Sequence, residues 1–197
     1  MTTTARSASS RTSDVAYIAV FAALIIVLGV VSVPVGVAGI PIVLQNAAIL
    51  LAALVLGPRR GFLTAALFLL IGIALPVLAG GRTVLQAAGG PSVGYLLGYL
   101  IAPLVAGAIA LFAAGKSKPA QVLWFAIAGV AGLAIQYLCG SVGLMVRSDL
   151  SLGAALAAQL PFLPGDSIKV VAVVLIAAGV HSAFPRLLAV HSRRREL

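Results

Sequence analysis

The chain has 197 residues, of which 62% are hydrophobic and only 9% are charged, and its mean hydropathy is +1.19. Because soluble domains carry about 25% charged residues, this composition excludes a soluble domain and predicts an integral membrane protein. The long apolar runs lack the alternating polarity of a transmembrane β-barrel. With about 20 residues for each crossing, the predicted fold is an all-α bundle of six transmembrane helices in the lipid bilayer.

Apolar runs divide the chain in order. Residues 1–14, rich in Ser and Thr, are predicted to be a disordered cytoplasmic tail, because no signal-peptide cleavage site followed by a polar domain appears. The transmembrane domain is predicted to cover residues 15–187, followed by a basic cytoplasmic tail at 188–197. Its predicted spans lie at about residues 15–33, 41–57, 62–77, 93–114, 120–146 and 166–183.

The segments between the spans contain glycine, proline or charge. Gly57-Pro58-Arg59-Arg60-Gly61 predicts a tight turn after the second span, and residues 78–92 form a glycine-rich segment that permits tight turns near a ligand. The fifth span is long enough to tilt or to contain a break near Gly140. Residues 152–163 are too few to cross a membrane and predict an interfacial or re-entrant segment.

The net charge of +9 is distributed unevenly along the chain. With six spans, ten of the 13 lysine and arginine residues fall on the side of the two termini, two fall on the other side, and Lys169 lies within a span. Cytoplasmic segments of membrane proteins carry an excess of Lys and Arg, so both termini are predicted to be cytoplasmic. Topology accounts for the basic residues, and no nucleic-acid partner is predicted.

An acid and a base stand at the start of the last span. Asp166 and Lys169 are three residues apart and share one helical face. An ionisable residue inside the membrane costs at least roughly 2.5–3.5 kcal/mol on insertion scales, which favours a functional site. A self-neutralising pair that closes the helix end is the structural alternative, and the residues alone leave both interpretations open.

Further polar side chains fall on the same extracytoplasmic half and predict a pocket open to the outside. They include Gln45, Arg82 and Gln86, and polar groups among apolar helices are typical of small-molecule sites. The predicted ligand is small, largely apolar and anionic at one end. Lys169 or Arg82 would hold a carboxylate, and Asp166 would accept N–H donors.

Motifs for catalysis are lacking. The sequence has no H-E-x-x-H, G-x-S-x-G, C-x-x-C or phosphate-binding loop, so no catalytic residue, metal site or cofactor is predicted and the chain is not expected to be an enzyme. Any uphill transport would draw its energy from a partner or a coupled ion. Ala19 and Ala23 form a small-x-x-x-small pattern on the first span, a weak signal for close helix contact.

Five motifs, spread in order over nearly the whole chain, resemble the BioY family. They are Pro41-Ile42-Val43-Leu44-Gln45-Asn46, Leu56-Gly57-Pro58-Arg59, Leu75-Pro76-Val77, Gly90-Pro91-Ser92-Val93-Gly94-Tyr95 and Pro164-Gly165-Asp166-Ser167-Ile168-Lys169. BioY proteins are the biotin-specific S components of energy-coupling factor (ECF) vitamin transporters. The resemblance implies a six-helix bundle in the bacterial cytoplasmic membrane with an outward-facing biotin pocket.

The resemblance also implies partners and site residues. S components work with a transmembrane coupling protein and a pair of cytoplasmic ATPases, and Ala19 and Ala23 match the family positions that meet the coupling protein. Asp166 and Lys169 match positions that contact biotin, and Arg82 stands where the family offers a polar contact. The predicted substrate-binding residues are Gln45, Arg82, Gln86, Tyr95, Asp166 and Lys169.

Two positions depart from the family pattern. Some members carry an arginine where this chain has Leu96, and we hypothesise that Arg82 supplies that charge instead. Val93 stands where a glycine is usual. The leading interpretation is a biotin-capturing S component, and the alternatives are an S component for another vitamin, an intramembrane enzyme, and a self-sufficient transporter without ATPase partners.

Overall fold

The computed structural model describes residues 3–30, 32–33, 42–185 and 187. These residues form seven α-helices, one short antiparallel β-pair and two 3-10 turns, at Leu111–Ala113 and Leu160–Phe162. The elements are α1 (Thr3–Val30), β1 (Ser32–Val33), β2 (Ile42–Val43), α2 (Gln45–Ala74), α3 (Val84–Ala88), α4 (Val93–Ala110), α5 (Lys118–Ser148), α6 (Leu152–Ala157) and α7 (Leu163–Ala183).

The helix α2 doubles back on itself at Gly57. This residue has φ 79° and ψ −179°, outside the helical region, and Pro58 follows it. A Cβ atom on Gly61 would stand 2.9 Å from the Cα of Ala53. On a straight helix, residues eight apart lie about 12 Å from each other, so the two arms of α2 run antiparallel. The turn predicted over five residues is reduced to a break at Gly57, and Arg59 and Arg60 are helical.

Five segments of the described chain are long and apolar enough to cross a membrane. They are Thr12–Gly29, Gln45–Ala74, Val93–Ala113, Lys118–Ser148 and Leu152–Ala183. The count of six predicted from the sequence is not reproduced, because the second and third predicted spans are the two arms of α2. The all-helical membrane bundle itself is consistent with these segments.

Several predicted boundaries are corrected. The helix α1 begins at Thr3, so residues 3–14, predicted as a disordered tail, continue the helix of the first apolar run. The helix α5 is unbroken, and Gly140 instead makes room for the ring of Tyr95, whose Cδ1 would stand 2.8 Å from an added Cβ. The helix α7 begins at Leu163, three residues before the predicted start. The predicted tail at 188–197 lies outside the described residues.

The helix α4 packs closely against its neighbours through glycine. An added Cβ on Gly94 would meet the backbone nitrogen of Gly143 on α5 at 2.7 Å. At the other end of α4, an added Cβ on Gly107 would meet the Cα of Pro58 at 2.5 Å. Small residues let transmembrane helices approach to backbone contact, so these glycines fix α4 between α5 and the break in α2.

Apolar side chains fill the space between the helices. One core cluster joins α2, α4, α5 and α7 and includes Leu54, Phe125 and Val173. A second cluster joins α1, both arms of α2, and α4, and includes Ile25 and Phe68. Large apolar side chains also remain exposed on the outer faces of the helices, as expected for surfaces that face lipid.

The two ends of the bundle differ in their charges. At the end that contains Gly57, Arg60 forms an ion pair with Asp14 of α1. Arg59 follows Pro58 directly and lies at the same end. The carboxyl end of α4 packs on Pro58, so Lys116 and Lys118, which follow α4 in the chain, lie there as well. The opposite end holds the β-pair, α3 and α6, and it is there that the helices leave a cavity.

Candidate functional site

A cavity of about 670 Å³, counted to include space that opens to solvent, lies at the end of the bundle opposite Gly57. The first turns of α2, α4 and α7, the middle of α5 and the segment before α3 contribute its walls. The polar lining residues are Gln45, Asn46, Arg82, Ser92, Tyr95, Tyr99, Gln136, Tyr137, Asp166 and Lys169.

Asp166 and Lys169 form an ion pair on the cavity wall. The Nζ atom of Lys169 lies 2.7 Å from Oδ1 of Asp166, and both side chains are largely buried. Lys169 also donates to the carbonyl oxygen of Val43 at 2.6 Å. The pairing β1–β2, which sets Ser32 opposite Val43, positions that carbonyl. The pair therefore satisfies itself, as the structural alternative predicts, while it still faces the cavity.

Two residues absent from the predicted site complete the surroundings of the carboxylate. Tyr137 on α5 donates its hydroxyl to Oδ2 of Asp166 at 2.7 Å, and Asn46 donates its amide to Oδ1 at 3.2 Å. The Oδ1 atom of Asn46 lies 3.5 Å from the Lys169 ammonium. Both oxygens of the Asp166 carboxylate therefore accept hydrogen bonds. Residues from α2, α5 and α7 thus meet at one polar cluster.

Arg82 is the charged lining residue without a carboxylate partner among the described residues. Its Nε donates to the carbonyl oxygen of Ala79 at 3.3 Å, which leaves the outer nitrogens of the guanidinium available. The lining contains two cations, Arg82 and Lys169, and one carboxylate, Asp166. The difference is one positive charge, so the cavity favours an anionic ligand.

Gln45 lines the cavity, but its side chain makes its hydrogen bonds to backbone groups. Its Nε2 donates to the carbonyl oxygens of Ile25 at 3.2 Å and Val77 at 2.8 Å, and its Oε1 accepts from the backbone N–H of Ala79 at 3.2 Å. The side chain is 1% exposed. Its position indicates that Gln45 joins α1, α2 and the segment before α3 and shapes the cavity floor.

Gln86, which the sequence predicts to bind the substrate, is not among the residues that line the cavity. Its Oε1 accepts from the backbone N–H of Thr83 at 2.8 Å, and its own N–H donates to Oγ1 of Thr83. These two bonds form a capping box at the start of α3. Gln86 is exposed because this local contact directs it away from the ligand space.

Tyr95 lines the cavity and is held from behind. Its hydroxyl donates to Oε1 of Gln159 at 2.5 Å. Gln159 in turn donates to Oγ of Ser141 and to the carbonyl oxygen of Ala155, each at 3.2 Å, and is 3% exposed. These hydrogen bonds connect α4 and α5 to the segment around α6, and they hold the Tyr95 ring in place as part of the cavity wall.

Apolar and aromatic groups supply the remaining walls. Leu96, Tyr99 and Phe162 are each less than 10% exposed, and Leu78 joins them from the segment before α3. Leu96 presents an apolar surface to the cavity. The cavity lining combines charged and polar side chains with apolar ones.

Ala19 and Ala23 lie away from the cavity, on the exposed face of α1. Ala22 and Ile25, on the other face, are 1% and 0% exposed and pack into the bundle. The predicted small-residue pair is therefore on the outside of the protein, where another helix has access to it.

Sequence reasoning missed Ser92, Tyr99, Gln136, Tyr137 and Gln159. A polar signal existed for Gln136 and Tyr137, because polar side chains within an apolar span need a protein or ligand partner. Asn46 was visible in the same way, beside Gln45. Their convergence on Asp166 was not visible, since these residues are separated by up to 120 positions along the chain.

Comparisons with known proteins agree over nearly the full length. The sequence profile of the BioY family matches residues 1–186. The biotin transporter BioY of Rhizobium etli is 33% identical over 181 residues, which cover 89% of this chain and 97% of the relative. That of Rhodobacter capsulatus is 38% identical over 185 residues, covering 89% and 96%.

A solved structure has the same fold. The crystal structure of the S-component for biotin from an ECF-type ABC transporter superposes with a TM-score of 0.79 at 28% sequence identity. The match covers 92% of this chain and 95% of that protein. The similarity includes the helices that form the cavity, since almost all of both chains is aligned.

Proposed function

Because this chain belongs to the BioY family, we propose that it is a membrane subunit that captures biotin from outside and carries it inward with an ECF coupling protein and a pair of ATPases. It is a membrane protein, and the relatives named above are transporters and not enzymes. We place it in the bacterial cytoplasmic membrane as a multi-pass S component.

The observation that carries the proposal is a cavity with one positive charge in excess and an apolar side. Biotin has a carboxylate at the end of an aliphatic chain and a neutral cyclic urea with N–H donors and a carbonyl acceptor. We assign the carboxylate to Arg82, whose guanidinium offers paired donors. The aliphatic chain then lies along Leu96 and Phe162, which line the same cavity.

The urea is assigned to the cluster around Asp166. The carboxylate of Asp166 and the side-chain oxygen of Asn46 accept N–H groups, and the ammonium of Lys169 donates to a carbonyl. These groups already bond to one another at 2.7–3.5 Å, so an incoming urea exchanges existing hydrogen bonds for new ones. Such an exchange needs little reorganisation, which favours tight binding of a preorganised ligand.

We further propose six membrane crossings with both termini in the cytoplasm. The two antiparallel arms of α2 support two crossings by that element, since its break at Gly57 lies at the end opposite the cavity. The positive charges of Arg59, Arg60, Lys116 and Lys118 at the Gly57 end support a cytoplasmic location for it. The cavity then faces the outside.

A titration of the purified protein tests the proposed ligand. We expect the wild-type protein in detergent to bind biotin with a single site and to be stabilised by it, whereas thiamine and riboflavin at the same concentrations leave its melting temperature unchanged. Isothermal titration calorimetry and thermal unfolding measure the two effects. Binding of thiamine or riboflavin in place of biotin would assign the chain to another vitamin.

A further inference from the structure

We propose that the hydroxyl of Ser92 is a further ligand-binding group, which donates a hydrogen bond to the carboxylate of the transported molecule. This inference rests on the proposed function. Ser92 stands at the start of α4, after the segment that carries Arg82 and before Tyr95 in the chain.

Ser92 is a buried hydroxyl that nothing in the described chain satisfies. The residue is 7% exposed, it lines the cavity, and its Oγ has no hydrogen-bond partner among the described residues. Buried polar groups in folded proteins are nearly always hydrogen-bonded, because an unpaired one loses its bonds to water without replacement. An unpaired hydroxyl that faces a ligand cavity therefore points to a partner supplied by the ligand.

The local structure shows that Ser92 is not used as a helix cap. It occupies the N-cap position of α4, yet its φ of −80° and ψ of −5° are helical and its side chain makes no capping bond. A serine at this position usually bonds to a backbone N–H in the first turn. Thr83 and Ser151 do so at the starts of α3 and α6. The difference leaves the Ser92 hydroxyl available to the cavity.

Electrostatics assign the carboxylate to this side of the cavity. The start of an 18-residue helix carries a partial positive charge, which favours an anion. Arg82 adds a full positive charge on the same lining. Asp166, the carboxylate among the lining residues, is on α7 and is already paired with Lys169. A hydroxyl that donates to a carboxylate completes the positive side.

The test compares wild type with Ser92→Ala, using biotin and its carboxamide, in which the acid is replaced by a neutral group. Because the hydroxyl is unpaired without ligand, we expect Ser92→Ala to melt no lower than wild type when unliganded. We expect its affinity for biotin to fall roughly tenfold to a hundredfold, the range for a hydrogen bond to a charged group, and its affinity for the carboxamide to fall about fivefold or less.

Thr64→Val is the matched control. Thr64 is 0% exposed, and its hydroxyl donates to the carbonyl oxygen of Arg60 at 2.9 Å, toward the Gly57 end of the bundle. Loss of that hydroxyl is expected to leave both affinities unchanged. If Ser92→Ala does not fold, Ser92→Cys, which is similar in size and a weak donor, replaces it. We again expect the affinity for biotin to fall more than the affinity for the carboxamide.

Two results would overturn the inference. Equal losses of affinity for the acid and the carboxamide, or an unchanged affinity for biotin, would each show that the hydroxyl does not serve the carboxylate. If wild type binds biotin and Ser92→Ala binds it equally well, only this inference fails. If wild type binds no biotin, the proposed function fails together with it.

Discussion

At the scale of single residues, the ion pair between Asp166 and Lys169 stabilises the fold and also lines the cavity. The two groups neutralise each other at 2.7 Å, and Tyr137 and Asn46 satisfy the carboxylate further. Burying two charges is expensive, and the attraction between them repays the cost only when additional hydrogen bonds are made. Here those bonds exist, and their position on a cavity wall makes them available for exchange with a ligand.

Substitution of the pair should separate these two roles. Lys169→Met leaves a buried carboxylate uncompensated, so we expect a loss of about 3–5 kcal/mol in the free energy of unfolding together with loss of biotin binding. In Asp166→Asn/Lys169→Met both charges are removed, and we expect most of the stability to return without biotin binding. Unfolding in detergent and calorimetric titration measure both. Biotin binding retained by the double variant would exclude this pair from the ligand site.

At the scale of elements, the break in α2 decides how the bundle is arranged. Gly57 has φ 79°, a left-handed backbone value that residues with a Cβ rarely adopt. The same turn is held by α4, where Gly107 allows the backbone of Pro58 to approach. One residue in an unusual conformation therefore converts a single 30-residue helix into two adjacent arms.

Gly57→Ala should weaken this arrangement. At φ 79° and ψ −179°, Gly57 is in a backbone region that is essentially restricted to glycine and costs other residues about 1–3 kcal/mol, so we expect the melting temperature to fall. Gly179→Ala on α7 is the matched control, since an added Cβ there meets nothing within 4 Å. It should be neutral or stabilise by up to about 1 kcal/mol, because alanine favours a helix over glycine. Equal stabilities of the two variants would mean that the φ of Gly57 carries no strain.

At the scale of the whole molecule, charge and cavity occupy opposite ends. Arg59, Arg60, Lys116 and Lys118 lie at the end of the Gly57 break, and the cavity opens at the other. The positive-inside rule favours the proposed orientation, in which the cavity is accessible from outside.

Labelling of single cysteines tests the orientation. In a Cys139→Ala background, we expect Gly153→Cys on α6 to react with a membrane-impermeant maleimide on intact cells, because an added side chain there is unobstructed. Lys116→Cys should react only after the cells are made permeable. The reverse pattern of labelling would invert the topology and place the cavity in the cytoplasm.

The exposed face of α1 tests the proposed partner. Ala19→Trp/Ala23→Trp adds bulk where a helix of the coupling protein is expected to approach closely. We expect biotin uptake by cells, and co-purification with the coupling protein and ATPases, to fall at least tenfold while biotin affinity stays unchanged. Val27→Trp, at a position 63% exposed on the same helix, is the control. Uptake that persists in cells without the coupling protein and ATPases would favour the self-sufficient transporter.

The sequence alone determined the membrane class, the apolar segments within a few residues, and the uneven distribution of basic side chains. These features are local, because insertion into lipid depends on the hydropathy of about 20 consecutive residues. The position of Asp166 and Lys169 on the last helix and their pairing also follow from their spacing. The motifs predicted the family that the comparisons show.

Only the tertiary structure decided which polar side chains meet. Asn46 and Tyr137 reach Asp166 from other helices, whereas Gln86 turns to its own helix start and Gln45 to the backbone. That the hydroxyl of Ser92 has no hydrogen-bond partner in the described part of the chain likewise becomes visible only when its surroundings are known. The physical reason is that hydropathy and periodicity describe how each segment meets the membrane, while a pocket depends on contacts between segments that are distant along the chain.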